Sequence, residues 1–192
     1  MKKIAIFASG SGTNAEAIAR HFQQKPVVEV AMMICNRKEA GVYDRMKPFG
    51  IPSYYFPKAE WTEHGASNVI KLLEEAQVDL VVLAGFLAII PAELITKYPG
   101  RIINIHPALL PKHGGKGMWG MNVHNAVLAD GDKNSGITIH KVSEEVDGGE
   151  IIFQASCDVL PGDTAETLAT RVHSLEHKHF PTVVEEYALS LK

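Results

Sequence analysis

Five short apolar runs set the tightest limit on what this chain can fold into: Ile4–Ala8, Val27–Ile34, Ser53–Phe56, Leu80–Ala84 and Ile102–Ile105. Each is bounded by Gly, Pro, Asn or a charged residue, and their make-up predicts strands. Between them, Asn14–Gln23, Gly41–Phe49, Gly65–Glu75 and Pro91–Lys97 carry helical spacing. A strand with one wet face alternates polar and apolar residues. These runs are apolar almost throughout, so both faces of their sheet must be covered, as in a parallel sheet with helices on either side. The predicted class is α/β, with a doubly wound, mostly parallel sheet.

The second half changes character. Gly136–Val142 and Ile151–Val159 predict two more strands, an antiparallel extension joined through the acidic segment Ser143–Glu150. Pro161-Gly162-Asp163-Thr164 then leads into a final helix running to about Leu189. Asp163 is expected to cap it, with Glu166 completing a capping box, and Pro181 to kink or break it. No repeat or long linker divides the chain, so residues 1–192 are read as one domain. With 46% hydrophobic residues, it has enough apolar material for a core without disulfide or metal.

Charge and cysteine usage exclude several function classes. The formal net charge is −3, without a Lys/Arg run, which argues against nucleic-acid or anionic-membrane partners. An anionic ligand must then be held by a local device. Cys35 and Cys157 read as free thiols of a reducing compartment, with no metal-ligand spacing around either. The apolar run after Met1-Lys2-Lys3 is too short for a secretory signal, and no later stretch could span a bilayer. A cytoplasmic location is expected.

Four segments carry chemistry. Ser9-Gly10-Ser11-Gly12-Thr13-Asn14 joins the first strand to the first helix, where glycines let the backbone approach a ligand and a helix N-terminus offers free N–H groups. It lacks the third glycine of a dinucleotide fingerprint and the Lys of a P-loop, so it suits a single phosphate; a plain capped turn is the alternative. Asn104 and His106 lie two apart at the end of a central strand, and so project together at the edge where open α/β folds bind ligands. Ser143–Gly149 reads either as a solvated acidic loop or as a bend presenting Asp147 to His106. Leu83–Pro91 reads either as core or as a wall for a flat aromatic ligand.

Taken together, these segments resemble the folate-dependent formyltransferases. The resemblance covers nearly the whole chain and rests on Ala84-Gly85-Phe86, on Asn104 to Lys112, on Asp147-Gly148-Gly149, on the Ser9–Asn14 run and on Glu176-His177. It implies a Rossmann-like formyltransferase fold. It also implies transfer of formyl from 10-formyltetrahydrofolate to the amine of glycinamide ribonucleotide, a step of purine synthesis, without a metal. By the resemblance, Asn104, His106 and Asp147 are the catalytic trio. Ser11, Gly12, Thr13 and Asn14 would hold the substrate phosphate, and Glu176 its ribose. His64, Leu87, Ala88, Ile89 and Ile90 would meet the folate, as would Asn104, Ser143, Glu144, Glu145, Val146 and Asp147. Leu110–Pro111 is expected to be cis, and the protein a monomer or homodimer.

Three positions depart from the family pattern. Ala88 stands where many relatives carry Arg, and His64 near where they carry Lys or Arg toward the folate's glutamate tail. His113–Met121 is longer and richer in glycine than usual, and reads either as a lid or as a variable surface loop. Formyltetrahydrofolate hydrolases and methionyl-tRNA formyltransferases share the chemistry but carry additional domains, and the length of this chain disfavours both. A phosphate-binding regulatory module would leave the Asn–His–Asp trio unexplained. A nicotinamide-dependent dehydrogenase would want an acid where Cys35-Asn36-Arg37 stands.

Overall fold

The computed structural model describes all residues from Met1 to Lys192. Its elements follow the sequence as β1 (Lys2–Ala8), α1 (Thr13–Gln24), β2 (Val28–Cys35), α2 (Val42–Met46), β3 (Ser53–Tyr55), α3 (Lys58–Thr62), α4 (Ser67–Glu75), β4 (Leu80–Leu83), α5 (Ala92–Lys97), β5 (Ile102–His106), α6 (Met121–Ala129), β6 (Asn134–Lys141), β7 (Ile151–Asp158) and α7 (Ala165–Ser190). The sheet has seven strands in the order β3-β2-β1-β4-β5-β6-β7. The first five run parallel; β6 pairs antiparallel with β5, and β7 antiparallel with β6. The doubly wound sheet with its antiparallel extension and final helix is the predicted fold.

Both faces of the inner parallel strands are covered, which explains their unbroken apolar character, while the edge strand β3 is exposed. Ile4, Ile6 and Ala8 point into a core shared with Ile18 and Phe22 of α1 and with Val172, Phe180 and Val184 of α7. The intervening Ala5 and Phe7 point the other way, onto Trp61 of α3, Val69 and Leu73 of α4 and Leu94 of α5. Each fully buried Ile or Phe contributes roughly 1.5–3 kcal/mol relative to exposure. Two helices escaped the sequence reading. The first is α3, five residues long, held by Trp61 against Phe7 and Phe86 at ring-centroid distances of 5.7 and 4.7 Å. The second is α6, which follows the glycine-rich loop and has a weak apolar stripe.

The final helix corrects two expectations. It runs unbroken through Pro181. A proline inside a helix forfeits a hydrogen bond and costs about 3 kcal/mol; here Phe180, Val183 and Val184 are buried in the core on either side of it and keep the helix continuous. The cap is Thr164, not Asp163, and Thr167 rather than Glu166 closes the reciprocal box: the Thr164 hydroxyl accepts from Thr167 N–H, and the Thr167 hydroxyl accepts from Thr164 N–H. Asp163 is drawn off by Arg171, which donates to both its oxygens at 2.7 and 3.0 Å, and by the Leu160 N–H at 2.7 Å.

Strand order decides where a ligand can sit. β1 is flanked by β2 on one side and β4 on the other, so the chain leaves the carboxyl ends of β1 and β4 in different directions and a crevice opens between them. Ser9 ties this junction together. Its N–H donates to the Gly85 carbonyl at 3.0 Å, and its hydroxyl donates to Asn36 Oδ1 at 2.6 Å while accepting from Leu87 N–H at 2.9 Å.

Candidate active site

The crevice opens into a cleft of about 570 Å3, lined by the carboxyl ends of β1, β4 and β5, by the loop before α6, by the β6–β7 connection and by α7. That size suits one or two small organic ligands.

At one end lies the N-terminus of α1, where Ser11, Gly12, Thr13 and Asn14 line the wall. Gly12 adopts φ 79°, and a Cβ there would fall 2.5 Å from a Val42 methyl, so α2 packs on the turn only because the side chain is absent. The N–H groups of the first helical turn have no partner within the helix and favour an anion. The Asn14 side chain is turned elsewhere: its Nδ2 donates to Glu176 Oε2 at 2.9 Å, and its buried Oδ1 has no protein partner. What Asn14 offers a phosphate is therefore its backbone. Glu176 is only 5% exposed, and burial raises its carboxyl above the ordinary glutamate value, with the Asn14 amide and His173 opposing.

The middle of the cleft holds the trio. Asn104 and His106 project from the end of β5 on one face, as their spacing predicts, and Asp147 reaches them from the β6–β7 connection. Asp147 adopts φ 57°, and Gly149, whose Cβ would collide with the Lys141 carbonyl, brings the chain back to the sheet. Asp147 Oδ2 stands 3.6 Å from His106 Nδ1 and accepts the Gly115 N–H at 2.9 Å. His106 Nε2 donates to the His113 carbonyl at 2.8 Å. Because a carbonyl only accepts, Nε2 must carry hydrogen, leaving Nδ1 as the nitrogen that gains or loses a proton toward Asp147.

Burial pushes the His106 imidazole below its ordinary pKa, against the pull of Asp147 and of the His113 carbonyl; His140 and His113 push further down. Burial is the larger effect, and Asp147 does not overcome it. Asp147 is held below the usual carboxylate range: burial acts to raise it, and His140, His106 and the Gly115 N–H together outweigh that.

Sequence reasoning missed His140. It faces Asn104 across the β5–β6 ladder, with Asn104 Nδ2 donating to His140 Nε2 at 3.1 Å. Its Nδ1 donates to the Lys141 carbonyl at 2.8 Å, and its Nε2 lies 3.5 Å from Asp147 Oδ1. The only signal was a histidine inside the strand run Gly136–Val142, and cross-strand register is not readable from one sequence. His124 of α6 was missed as well. It is buried, lines the cleft and leaves Nδ1 without a partner. Burial, with His173 and His106 nearby, lowers its pKa to about 4, so it is neutral at physiological pH.

The rest of the lining sets an apolar stretch beside a mostly polar one. Leu87, Ala88, Ile89 and Ile90 form one wall, and Ser143, Glu144, Glu145 and Val146 the other. Leu87, Ile89 and Val146 are all substantially exposed there, an apolar mouth that asks for a partner. Phe86 anchors the first wall on Phe7 and Trp61. Gly115 to Met121 also line the cleft, and Leu110–Pro111 is cis as expected. His64 stands apart from the lining, exposed after α3.

Known proteins share the sequence pattern and the fold. The family described as formyl transferase matches residues 2–184. A curated phosphoribosylglycinamide formyltransferase of Bacillus subtilis is 38% identical over 189 residues, covering 97% of this chain and 94% of its own. The chloroplastic phosphoribosylglycinamide formyltransferase of Arabidopsis thaliana is 43% identical over 187 residues, covering 95% of this chain; the chain spans 64% of that relative's length. The solved structure of glycinamide ribonucleotide transformylase 1 from Symbiobacterium toebii superposes with a TM-score of 0.90 at 34% identity, covering 98% of this chain and 88% of that one. The family match spans nearly the whole chain and the Bacillus subtilis relative is matched over almost all of its own length, so the chain belongs to the formyl transferases.

Proposed function

We propose that this chain transfers the formyl group of 10-formyltetrahydrofolate to the amine of glycinamide ribonucleotide, in purine biosynthesis. The observation that carries the reading is that Asn104, His106 and Asp147 line one cleft together with a helix N-terminus fit for a phosphate and the apolar stretch Leu87–Ile90, fit for a flat ring. The ribonucleotide would lie with its phosphate on the backbone of Ser11 to Asn14 and its ribose toward Glu176. The folate would enter between Leu87–Ile90 and Ser143–Val146, with the Gly115–Met121 loop across it. Ala88 has no polar side chain, so recognition of the ring edge falls to backbone groups. His64 is outside the cleft lining, where it would meet the folate's glutamate tail rather than its ring.

The substrate amine attacks the formyl carbon, and negative charge develops on the formyl oxygen. One Asn104 amide hydrogen is engaged by His140, which orients the other toward that oxygen. A fixed donor of this kind typically contributes about 3–4 kcal/mol. The growing oxyanion also favours a proton on His106, offsetting the burial that keeps the free imidazole neutral. The Asp147–His106 pair takes the proton lost by the attacking nitrogen and returns it, through water, to the departing folate nitrogen. The C–N bond to the ribonucleotide forms as the C–N bond to folate breaks, with no covalent enzyme intermediate.

The test is folate deformylation followed by absorbance, with and without glycinamide ribonucleotide, in the wild type and in His106→Ala. Turnover that requires the ribonucleotide and collapses in the variant is expected. Turnover independent of the ribonucleotide would make the chain a hydrolase, and no turnover at all would sink the enzymatic reading.

A further inference from the structure

One short segment touches both members of the reactive pair. The His113 carbonyl accepts from His106 Nε2 at 2.8 Å, and two residues on, the Gly115 N–H donates to Asp147 Oδ2 at 2.9 Å. What fixes that segment is outside the cleft. The His113 side chain, 7% exposed, places Nε2 2.7 Å from Asp132 Oδ2 and Nδ1 3.9 Å from Asp130 Oδ2. Asp132 lies in the turn that leaves α6, its N–H bonded to the Val127 carbonyl, and its other oxygen takes Lys112 Nζ at 2.7 Å. His113 itself adopts φ 54°, a left-handed conformation costly for a residue with a Cβ. A side chain anchored on both flanks is what holds it there.

We propose that the His113–Asp132 pair positions the reactive pair, setting the orientation and protonation of His106 through the His113 carbonyl and the carboxylate of Asp147 through the Gly115 N–H. A mere surface tether would end on solvent-facing backbone. This one ends, within three residues, on the two backbone groups that meet His106 and Asp147. The carbonyl matters most when His106 is charged, because a hydrogen bond to an imidazolium is stronger than one to neutral imidazole. The groups facing His106 are Asp147 from the β6–β7 connection, His140 from β6, His113 from the loop and His124 from α6. Of these, only His113 reaches it through a backbone oxygen that cannot itself titrate.

The kinetic part of the inference rests on the formyl-transfer reading; the spectroscopic part does not. The experiment is an NMR titration of 15N-labelled imidazoles in the wild type, Asp132→Ala, Asp132→Asn and His113→Asn, followed by steady-state kinetics on the same samples. Asn tolerates the left-handed backbone at 113 but is too short to reach Asp132, so His113→Asn tests the same link if Asp132→Ala fails to fold. In both link-breaking variants the His106 midpoint is expected to fall by about one pH unit, and kcat roughly tenfold with little change in either KM, the scale typical of removing supporting hydrogen bonds. Asp132→Asn keeps an acceptor for His113 Nε2 and is expected to recover most of both effects. An unchanged His106 midpoint in Asp132→Ala and His113→Asn would overturn the proposal. If the wild type transfers no formyl group, the function fails while the titration still decides the positioning role.

Discussion

Asn104 and His140 face each other across the antiparallel β5–β6 ladder, with 3.1 Å between the amide nitrogen and the imidazole Nε2. The imidazole's other nitrogen donates to the Lys141 carbonyl, so in the tautomer with hydrogen there alone Nε2 accepts from Asn104, and the amide cannot flip without losing that partner. Asn104→Ala is therefore expected to lower kcat by about 10²–10³, the loss typical of one oxyanion donor. His140→Leu, which frees the amide to rotate, is expected to lower kcat less than Asn104→Ala does. Initial rates with saturating substrates decide the order of the two.

The helix end at Gly12 is packed too closely for any side chain, since a Cβ would overlap Val42 and the backbone is left-handed. Gly12→Ala is expected to lose about 1–3 kcal/mol of stability as α2 is pushed away. It is also expected to raise KM for the ribonucleotide far more than KM for the folate. A thermal melt and paired KM measurements check both.

Glu176 carries a stability cost that depends on pH. Burial raises its folded pKa above the unfolded value near about 4.3, so the folded state favours the neutral acid. Its contribution is most favourable below the unfolded value and is lost as pH rises through the folded one. Glu176→Gln removes the penalty of ionising there while keeping an acceptor for Asn14. The variant is expected to melt higher than the wild type at pH 8, to converge with it near about pH 4, and to bind the ribonucleotide poorly. Melting curves across that range that stay parallel would refute the account.

Ile89 is 69% exposed at the apolar mouth, so it contributes little to folding. Ile89→Ser is expected to leave the melting temperature unchanged. It is also expected to raise KM for the formyl folate roughly tenfold, because the bound ring then covers less apolar surface. Equal KM values in the two proteins would place the folate elsewhere.

By itself the sequence determined the layered α/β architecture, because strands such as Ile4–Ala8 and Leu80–Leu83 are apolar on both faces and only a sheet covered twice can bury them. It also determined that Asn104 and His106 share a face, since residues two apart on a strand always do. Tertiary structure alone decided what those side chains meet. The β5–β6 register set His140 against Asn104, and the connection after β6 carried Asp147 to His106, across sequence separations of 36 and 41 that no local pattern encodes. The same holds for α7, where local chemistry pointed to an Asp163 cap and a kink or break at Pro181. Arg171 took the aspartate and the buried flanks carried the helix through the proline, because long-range burial and ion pairing outweighed the local preferences.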